Sequence, residues 1–147
     1  MKVSDLLSTK GQTIITITPD RPVFEAMKKL MDNKISSLMV LDAGYNIKGI
    51  ITERDIIRAM SQDYGALKTQ KVADLMTKAI IVGTPEDDIE YVMGIMTQNR
   101  IRHLPIIAED GLTGIISIGD IVKFQLQEIE VENHYLQDFI SGNYFGW

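Results

Sequence analysis

Gly49-Ile50-Ile51-Thr52-Glu53-Arg54-Asp55-Ile56 and Gly114-Ile115-Ile116-Ser117-Ile118-Gly119-Asp120-Ile121 decide the fold, because they are one stretch written twice. In each, a β-branched apolar run ends at a hydroxyl residue, and a carboxylate follows three residues later as a helical pattern begins. The physical reading is a buried strand that runs directly into a helix at Thr52 and again at Ser117. The two stretches lie 65 residues apart, and the match continues outward from them. Upstream, Thr18-Pro19-Asp20 matches Thr84-Pro85-Glu86 at an offset of 66, as do Met27 with Met93, Asn33 with Asn99, Ile35 with Ile101 and Leu38 with Leu104. Val3, Asp5 and Leu6 match Val72, Asp74 and Leu75 at an offset of 69. Nearly the whole chain is therefore a duplication, the signature of a repeated supersecondary unit.

Each copy reads in the same order. A short β-branched run comes first (Ile14–Ile17; Ile80–Val82) and is stopped by the Thr-Pro turn. Val23, Met27, Leu30 and Met31, and likewise Ile89, Val92, Met93 and Met96, then recur at helical spacing. Asn33 and Asn99 stand where a left-handed C-cap is expected. Two apolar runs follow across a turn: Leu38–Leu41 to Ile47–Ile51, and Leu104–Ile107 to Leu112–Ile116. Gly44 and Gly111 are expected to supply the positive φ of these hairpins.

The second helix of copy 1 ends near Met60, before a polar linker from Ser61 to Lys71. In copy 2 the apolar stripe of Ile121, Val122, Leu126, Ile129, Leu136, Phe139 and Ile140 lets that helix run on to Ile140, before an aromatic tail, Gly142–Trp147. Two readings of this extension stay open: packing against another chain, or folding back to complete its own core. The expected fold class is α/β (α+β), two tandem βαββα repeats with an extended C-terminal helix. The expected boundaries are 1–62 for repeat 1, 63–71 for the linker, 72–126 for repeat 2 and 127–147 for the helical extension and tail.

Composition narrows the function. Hydrophobic residues make up 45% of the 147, enough for a real core. The 15 Lys and Arg against 20 Asp and Glu leave a net charge of −5, with no basic cluster, which argues against nucleic acid as the main partner. The absence of cysteine removes disulfides, thiolate nucleophiles and cysteine-based metal sites, and suits a reducing compartment. The N-terminus lacks a signal-peptide apolar stretch, and no apolar run approaches the roughly 20 residues of a membrane helix. The expectation is a cytoplasmic protein with no membrane partner.

Catalytic patterns are missing. The two histidines, His103 and His134, are far apart and outside any His-Glu-x-x-His frame. Gly114 to Gly119 has P-loop glycine spacing without the Lys-Ser/Thr that reaches phosphate and magnesium. With no nucleophile–base constellation, the chain is expected not to be an enzyme, and to require no cofactor and no metal.

The duplicated Thr/Ser-x-x-Asp has two readings. A hydroxyl at the N-cap with an acid three residues on is a capping box, which stabilises any helix start. Alternatively, the free amides of a helix N-terminus attract an anion, and a carboxylate there accepts hydrogen bonds from a ribose diol.

The Thr-Pro turn, the Gly-h-h-Thr/Ser-x-x-Asp-h ending (h apolar) and the doubled βαββα order together resemble the CBS-domain pair, or Bateman module, in its small free-standing bacterial form. The resemblance covers about Val3 to Leu126. It implies two repeats related by a pseudo-twofold axis, with clefts between them that bind an adenosyl compound: AMP, ADP, ATP, NAD or S-adenosylmethionine. It also implies a homodimer acting on a target enzyme that the sequence does not name. Carried over by motif, Thr52 and Asp55 serve one cleft, and Ser117 and Asp120 the other, holding ribose and phosphate.

The start of the second strand of the opposite repeat completes each cleft in the family. That assigns Ile101, Arg102 and His103 to the Thr52–Asp55 cleft, with Arg54 nearby, and Ile35, Ser36 and Ser37 to the Ser117–Asp120 cleft. The Asp55 cleft is accordingly expected to take a phosphorylated ligand. The other is expected to take a weaker or uncharged adenosyl ligand. Ile15, Ile35, Ile80 and Ile101 are candidates for the walls of an adenine slot, as well as for plain core.

Overall fold

The computed structural model describes residues 1–11 and 13–141. The described residues fold as two compact units, 13–81, and 1–11 together with 82–141. Helix α1 (Val3–Lys10) opens the chain and belongs to the second of these. The unit Thr13–Ile81 holds β1 (Thr16–Ile17), α2 (Val23–Asn33), β2 (Ser37–Leu41), β3 (Ile47–Thr52), α3 (Glu53–Gln62) and the single turns α4 (Ala66–Thr69) and α5 (Val72–Leu75). The other unit adds α6 (Ile89–Asn99), β4 (His103–Ala108), β5 (Gly111–Ser117) and α7 (Ile118–Ile140) to α1.

In the unit Thr13–Ile81, β1 lies parallel to β2, with Thr16 beside Met39, so the connection must cross over, and α2 supplies that crossover. β2 and β3 form an antiparallel hairpin with Ser37 opposite Thr52. Val23, Ala26 and Leu30 recur on one face of α2 and are buried against Ile17, Leu38, Val40, Ile51 and Ile56. In the second unit, β4 and β5 form the same hairpin with His103 opposite Ser117, and Leu104, Ile106, Ile116, Val92, Met96 and Ile121 are buried. The leading run of copy 2, expected as a strand over Ile80–Val82, is reduced to one parallel bridge between Gly83 and Ile106. Ile80 and Ile81 fold with the other unit, so only Gly83 reaches β4.

The offset of 69 has a structural meaning. Val3 N donates to Asp87 O and Ser4 N to Pro85 O, both at 2.9 Å. The matched Val72 N and Ala73 N donate to Arg21 O at 2.8 Å and Pro19 O at 2.9 Å. Each repeat's leading helix thus docks on the Thr-Pro turn of the other repeat. Asp5 and Asp74 cap these helices, each accepting the backbone N–H three residues before it. Val3, Leu6, Leu7 and Val72 are buried in the process.

The structure corrects several local expectations. The left-handed residues at the helix ends are Lys34 (φ 52) and Arg100 (φ 54), one position after the asparagines. Asn33 and Asn99 stay helical, and their Nδ2 groups donate back to Lys29 O and Ile95 O. Gly111 has the expected positive φ, at 104, but in the first hairpin Tyr45 (φ 63) takes that role instead of Gly44. Asp42 Oδ1 accepts from both Gly44 N and Asn46 N at 2.9 Å and so fixes the turn around Tyr45. The polar linker contains α4, with Ala66 fully buried. Met31 lies outside the core, 72% exposed.

Helix α7 runs from Ile118 to Ile140, as its periodicity predicts. Beyond Gln125, every residue of this helix except the half-buried Asp138 is exposed, so it does not fold back onto a core. The aromatic tail, Gly142–Trp147, lies outside the described residues. Among the described residues, no helix is long and apolar enough to cross a membrane.

Candidate functional site

Both strand-to-helix junctions form with the same hydrogen bonds. Asp55 Oδ2 accepts from Thr52 N at 2.9 Å, and Thr52 Oγ1 accepts from Asp55 N at 3.3 Å. The Thr52 hydroxyl also donates to Asp55 Oδ2 at 3.2 Å. At the second junction, Asp120 Oδ2 accepts from Ser117 N at 2.9 Å, and Ser117 Oγ accepts from Asp120 N at 3.0 Å. The capping box is complete at both. The first amide of each helix is also engaged: Glu53 N donates to Ser36 O at 3.1 Å and Ile118 N to Arg102 O at 3.0 Å. Among the described residues, these bonds leave the second-position amides, of Arg54 and Gly119, for an anionic group.

The glycine of the repeated motif also gains a reason. A Cβ on Gly49 would lie 2.8 Å from the Thr77 carbonyl oxygen, and one on Gly114 would lie 2.8 Å from Leu7 Cδ2. In both units the segment led by the docking helix passes directly over the last strand. Only a residue without a side chain leaves room for it.

The two carboxylates differ in their second partners. Asp55 is the more buried, at 9% exposure, and its Oδ1 meets Arg58 Nη1 of the same helix at 3.7 Å. Asp120 meets a cation from far along the chain: Lys10 Nζ, at the end of α1, lies 2.6 Å from its Oδ2 and also donates to the Ile115 carbonyl. Burial pushes the Asp120 carboxyl up, but the Lys10 hydrogen bond, the Ser117 amide and the Lys10 charge together hold it below its ordinary value.

Lys10 and Arg58 escaped the sequence reading. Arg58 was recoverable, since it lies three residues after Asp55 on a helix. Lys10 carried no signal, because its contact joins residues 110 apart.

The remaining candidates fall into two groups. The unit Thr13–Ile81 brings Ile35, Ser36 and Ser37 beside Thr52, Arg54 and Asp55. Ile15 and Ile35 are half-buried against that unit's core, and Ile80 is half-buried at its end. The other unit brings Ile101, Arg102 and His103 beside Ser117 and Asp120. The family resemblance assigns each strand start to the junction of the opposite repeat. Inside each unit, the ladder sets it beside the junction of its own repeat, because two strands joined by a short turn return to their starting point. Arg54 and Arg102 are both exposed.

A cavity of about 300 Å³ adjoins Asp55, lined also by Arg58, Ala59, Gln62, Gln70 and Asp74. Its walls are mainly polar, and Gln70 Oε1 is buried there without a hydrogen-bond partner among the described residues. Such walls suit hydrated or donor-rich groups better than an adenine ring. Among the described residues, no group of three or more histidine or carboxylate side chains is placed to hold a metal ion.

The sequence model of the CBS domain matches residues 3–62 and 72–127. The chain is 35% identical to the mitochondrial CBS domain-containing protein CBSX3 of Arabidopsis thaliana, over 97% of this chain and 73% of that protein. A crystal structure of a CBS-domain containing protein from Agrobacterium tumefaciens superposes with a TM-score of 0.80 at 39% identity, covering 83% of this chain and 91% of that one. A crystal structure of CBSX2 in complex with AMP superposes with a TM-score of 0.69 at 25% identity, covering 86% of this chain and 96% of that one.

Proposed function

This chain belongs to the CBS-domain family, and from that premise we propose that it is a non-catalytic regulatory module that binds an adenosyl ligand and thereby alters its association with itself or with a target enzyme. The observation that carries the reading is the duplicated junction, in which a helix start, a hydroxyl and a carboxylate recur with matching bonds. The AMP complex of CBSX2 supports the choice of ligand class. The chemistry suits the class: a ribose diol donates to a carboxylate oxygen, and a phosphate meets helix-start amides and cations.

We assign the phosphorylated ligand to Thr52 and Asp55, with Arg54 to recognise phosphate, and the weaker or uncharged adenosyl ligand to Ser117 and Asp120. Ile15, Ile35, Ile80 and Ile101 serve the adenine. The state of Asp120 favours this order, because Lys10 already occupies its carboxylate, whereas among the described residues Asp55 Oδ1 meets the more distant Arg58. The lack of cysteine suits the cytoplasm, which we propose as the location. The proposed assembly is a homodimer.

Calorimetry with AMP, ADP, ATP, NAD and S-adenosylmethionine tests the reading. Asp55→Ala should weaken binding of the phosphorylated ligand more than Asp120→Ala does. Undiminished affinity in both variants would dispose of the site assignment. A ligand at a hundred times its Kd should also add about 2.7 kcal/mol of stability.

A second reading has its own observation. Both carboxylates are turned onto their own backbone amides, so each junction is already satisfied as a helix cap. The chain would then be a ligand-independent homodimeric interaction module. Melting curves unmoved by the whole panel favour that reading.

A further inference from the structure

Among the described residues, only one of the two junctions carries a lysine. Lys10 Nζ lies 2.6 Å from Asp120 Oδ2, the same oxygen that accepts from Ser117 N at 2.9 Å. A second bond, to the Ile115 carbonyl, pins the ammonium beside the strand that leads into α7. At Asp55 the cation is held more loosely. Arg58 meets the other oxygen, Oδ1, at 3.7 Å, and its side chain is 70% exposed, against 36% for that of Lys10.

The difference begins in the leading helices. Asp5 and Asp74 hold the same place in α1 and α5, but α1 continues to Lys10 whereas α5 stops at Leu75. Beyond Leu75 the chain leaves the helix and Thr77 bridges Ile50, so the next lysine, Lys78, lies on an exposed stretch. Beyond Leu7, α1 makes one more turn. Ser8 Oγ donates to Asp5 O and Thr9 Oγ1 to Leu6 O, both at 2.8 Å, and Gly11, at φ 87, ends the helix directly after Lys10. That extra turn delivers the cation to Asp120.

We infer that Lys10 is an internal competitor for the sugar at the second junction, and so the residue that makes the two adenosyl sites unequal. The inference rests on the adenosyl reading above. A ribose diol has two hydroxyls to donate, and a carboxylate oxygen has two acceptor positions. On Asp120 Oδ2 the Ser117 amide and Lys10 fill both, so one hydroxyl of the diol can reach Oδ1 but the other must take the place of Lys10. The matching place on Asp55 Oδ2 is held by the Thr52 hydroxyl at 3.2 Å, a neutral donor that yields by rotating. Displacing a charge-assisted bond in a partly exposed pair should lower affinity about threefold to tenfold.

Calorimetry with adenosine, which has the diol and no charge, tests this. Lys10→Met should tighten, about threefold to tenfold, the binding that Asp120→Ala weakens. Introduced into Asp120→Ala, the same substitution should change nothing. A dideoxyadenosine that lacks the diol should bind wild type and Lys10→Met alike. The melting midpoint of unliganded Lys10→Met should fall slightly, so a gain in affinity cannot come from damage to the fold. A second measurement needs no substitution: salt screens the ion pair, so the affinity of wild type for adenosine should rise between about 0.05 and about 0.5 M sodium chloride. Adenosine bound equally by wild type and Lys10→Met overturns the inference and leaves the adenosyl reading standing, as does an affinity that salt leaves unchanged. Weaker binding by Lys10→Met overturns it too, because Lys10 would then be a ligand contact. Adenosine and AMP bound by no variant overturn the inference together with the adenosyl reading.

Discussion

Replacing Gly49 and Gly114 separately by alanine puts the docking of the leading segments to a quantitative test. The two glycines hold the same place in the repeat, and neither has a positive φ, so the added methyl acts through sterics alone. At Gly49 the new Cβ would lie 2.8 Å from the Thr77 carbonyl oxygen and 2.9 Å from Met76 Cγ and Sδ. That carbonyl cannot simply move aside, because Ile50 N donates to it at 3.0 Å and Thr77 N donates to Ile50 O at 2.8 Å. At Gly114 the close neighbour is only Leu7 Cδ2, at 2.8 Å, the end of a side chain that can rotate.

Overpacking a tight site costs about 1–3 kcal/mol, and alanine in place of a strand glycine offsets roughly 0.5–1 kcal/mol of that. Gly49→Ala should therefore destabilise by about 2 kcal/mol, the upper part of the range, since backbone must shift. Gly114→Ala should cost about 0–1 kcal/mol, since a rotamer change relieves it. Urea unfolding followed by far-ultraviolet circular dichroism measures both, and the melting midpoints should differ by about 4 °C. If Gly114→Ala proves as costly as Gly49→Ala, the idea that a fixed carbonyl, and not a movable side chain, guards Gly49 is wrong.

Other outcomes follow from single contacts. Lys34→Gly and Arg100→Gly, at φ 52 and 54, should each raise stability by about 1 kcal/mol by relieving a left-handed backbone. A fall in melting temperature for either would contradict this. Lys10→Met should cost roughly 0.5–1 kcal/mol at neutral pH, a modest figure because the pair is partly exposed. The Asp120 carboxyl is held below its ordinary value of 3.8, so its contribution is complete above that pH and fades as pH falls through the lowered folded value. The gap between wild type and Lys10→Met should therefore close in acid, and a gap that is constant from neutral to strongly acidic urea titrations would refute the pairing. Thr52→Ala and Ser117→Ala should each lose about 1 kcal/mol as the helix caps go, read by the same denaturation curves. No loss at either position would mean the hydroxyls do not cap in solution.

Much of the molecule was legible in its residues because the features concerned are local. The spacing of Val23 and Leu30 marks one face of a helix, the alternation of turn and apolar run marks a hairpin, and Thr52 with Asp55 marks a helix start. The matching offsets then made the duplication visible, and with it the family and the order of elements. Even so, local signals misplaced details decided by neighbours. The left-handed residue fell on Lys34 because the Asn33 side chain had a carbonyl to bond within its own helix. It fell on Tyr45 because Asp42 closed the turn around it.

The sequence by itself determined two copies of one unit, their β-hairpins, the long final helix and the twin junctions, since periodicity and capping depend on residues within a turn or two of each other. Only the tertiary structure decided which leading helix meets which Thr-Pro turn, why Gly49 and Gly114 must lack a side chain, and that Lys10 neutralises Asp120. The physical reason is that an apolar or charged pattern states which face seeks a partner, while the identity of a partner 110 residues away is settled by shape and packing that no local spacing encodes.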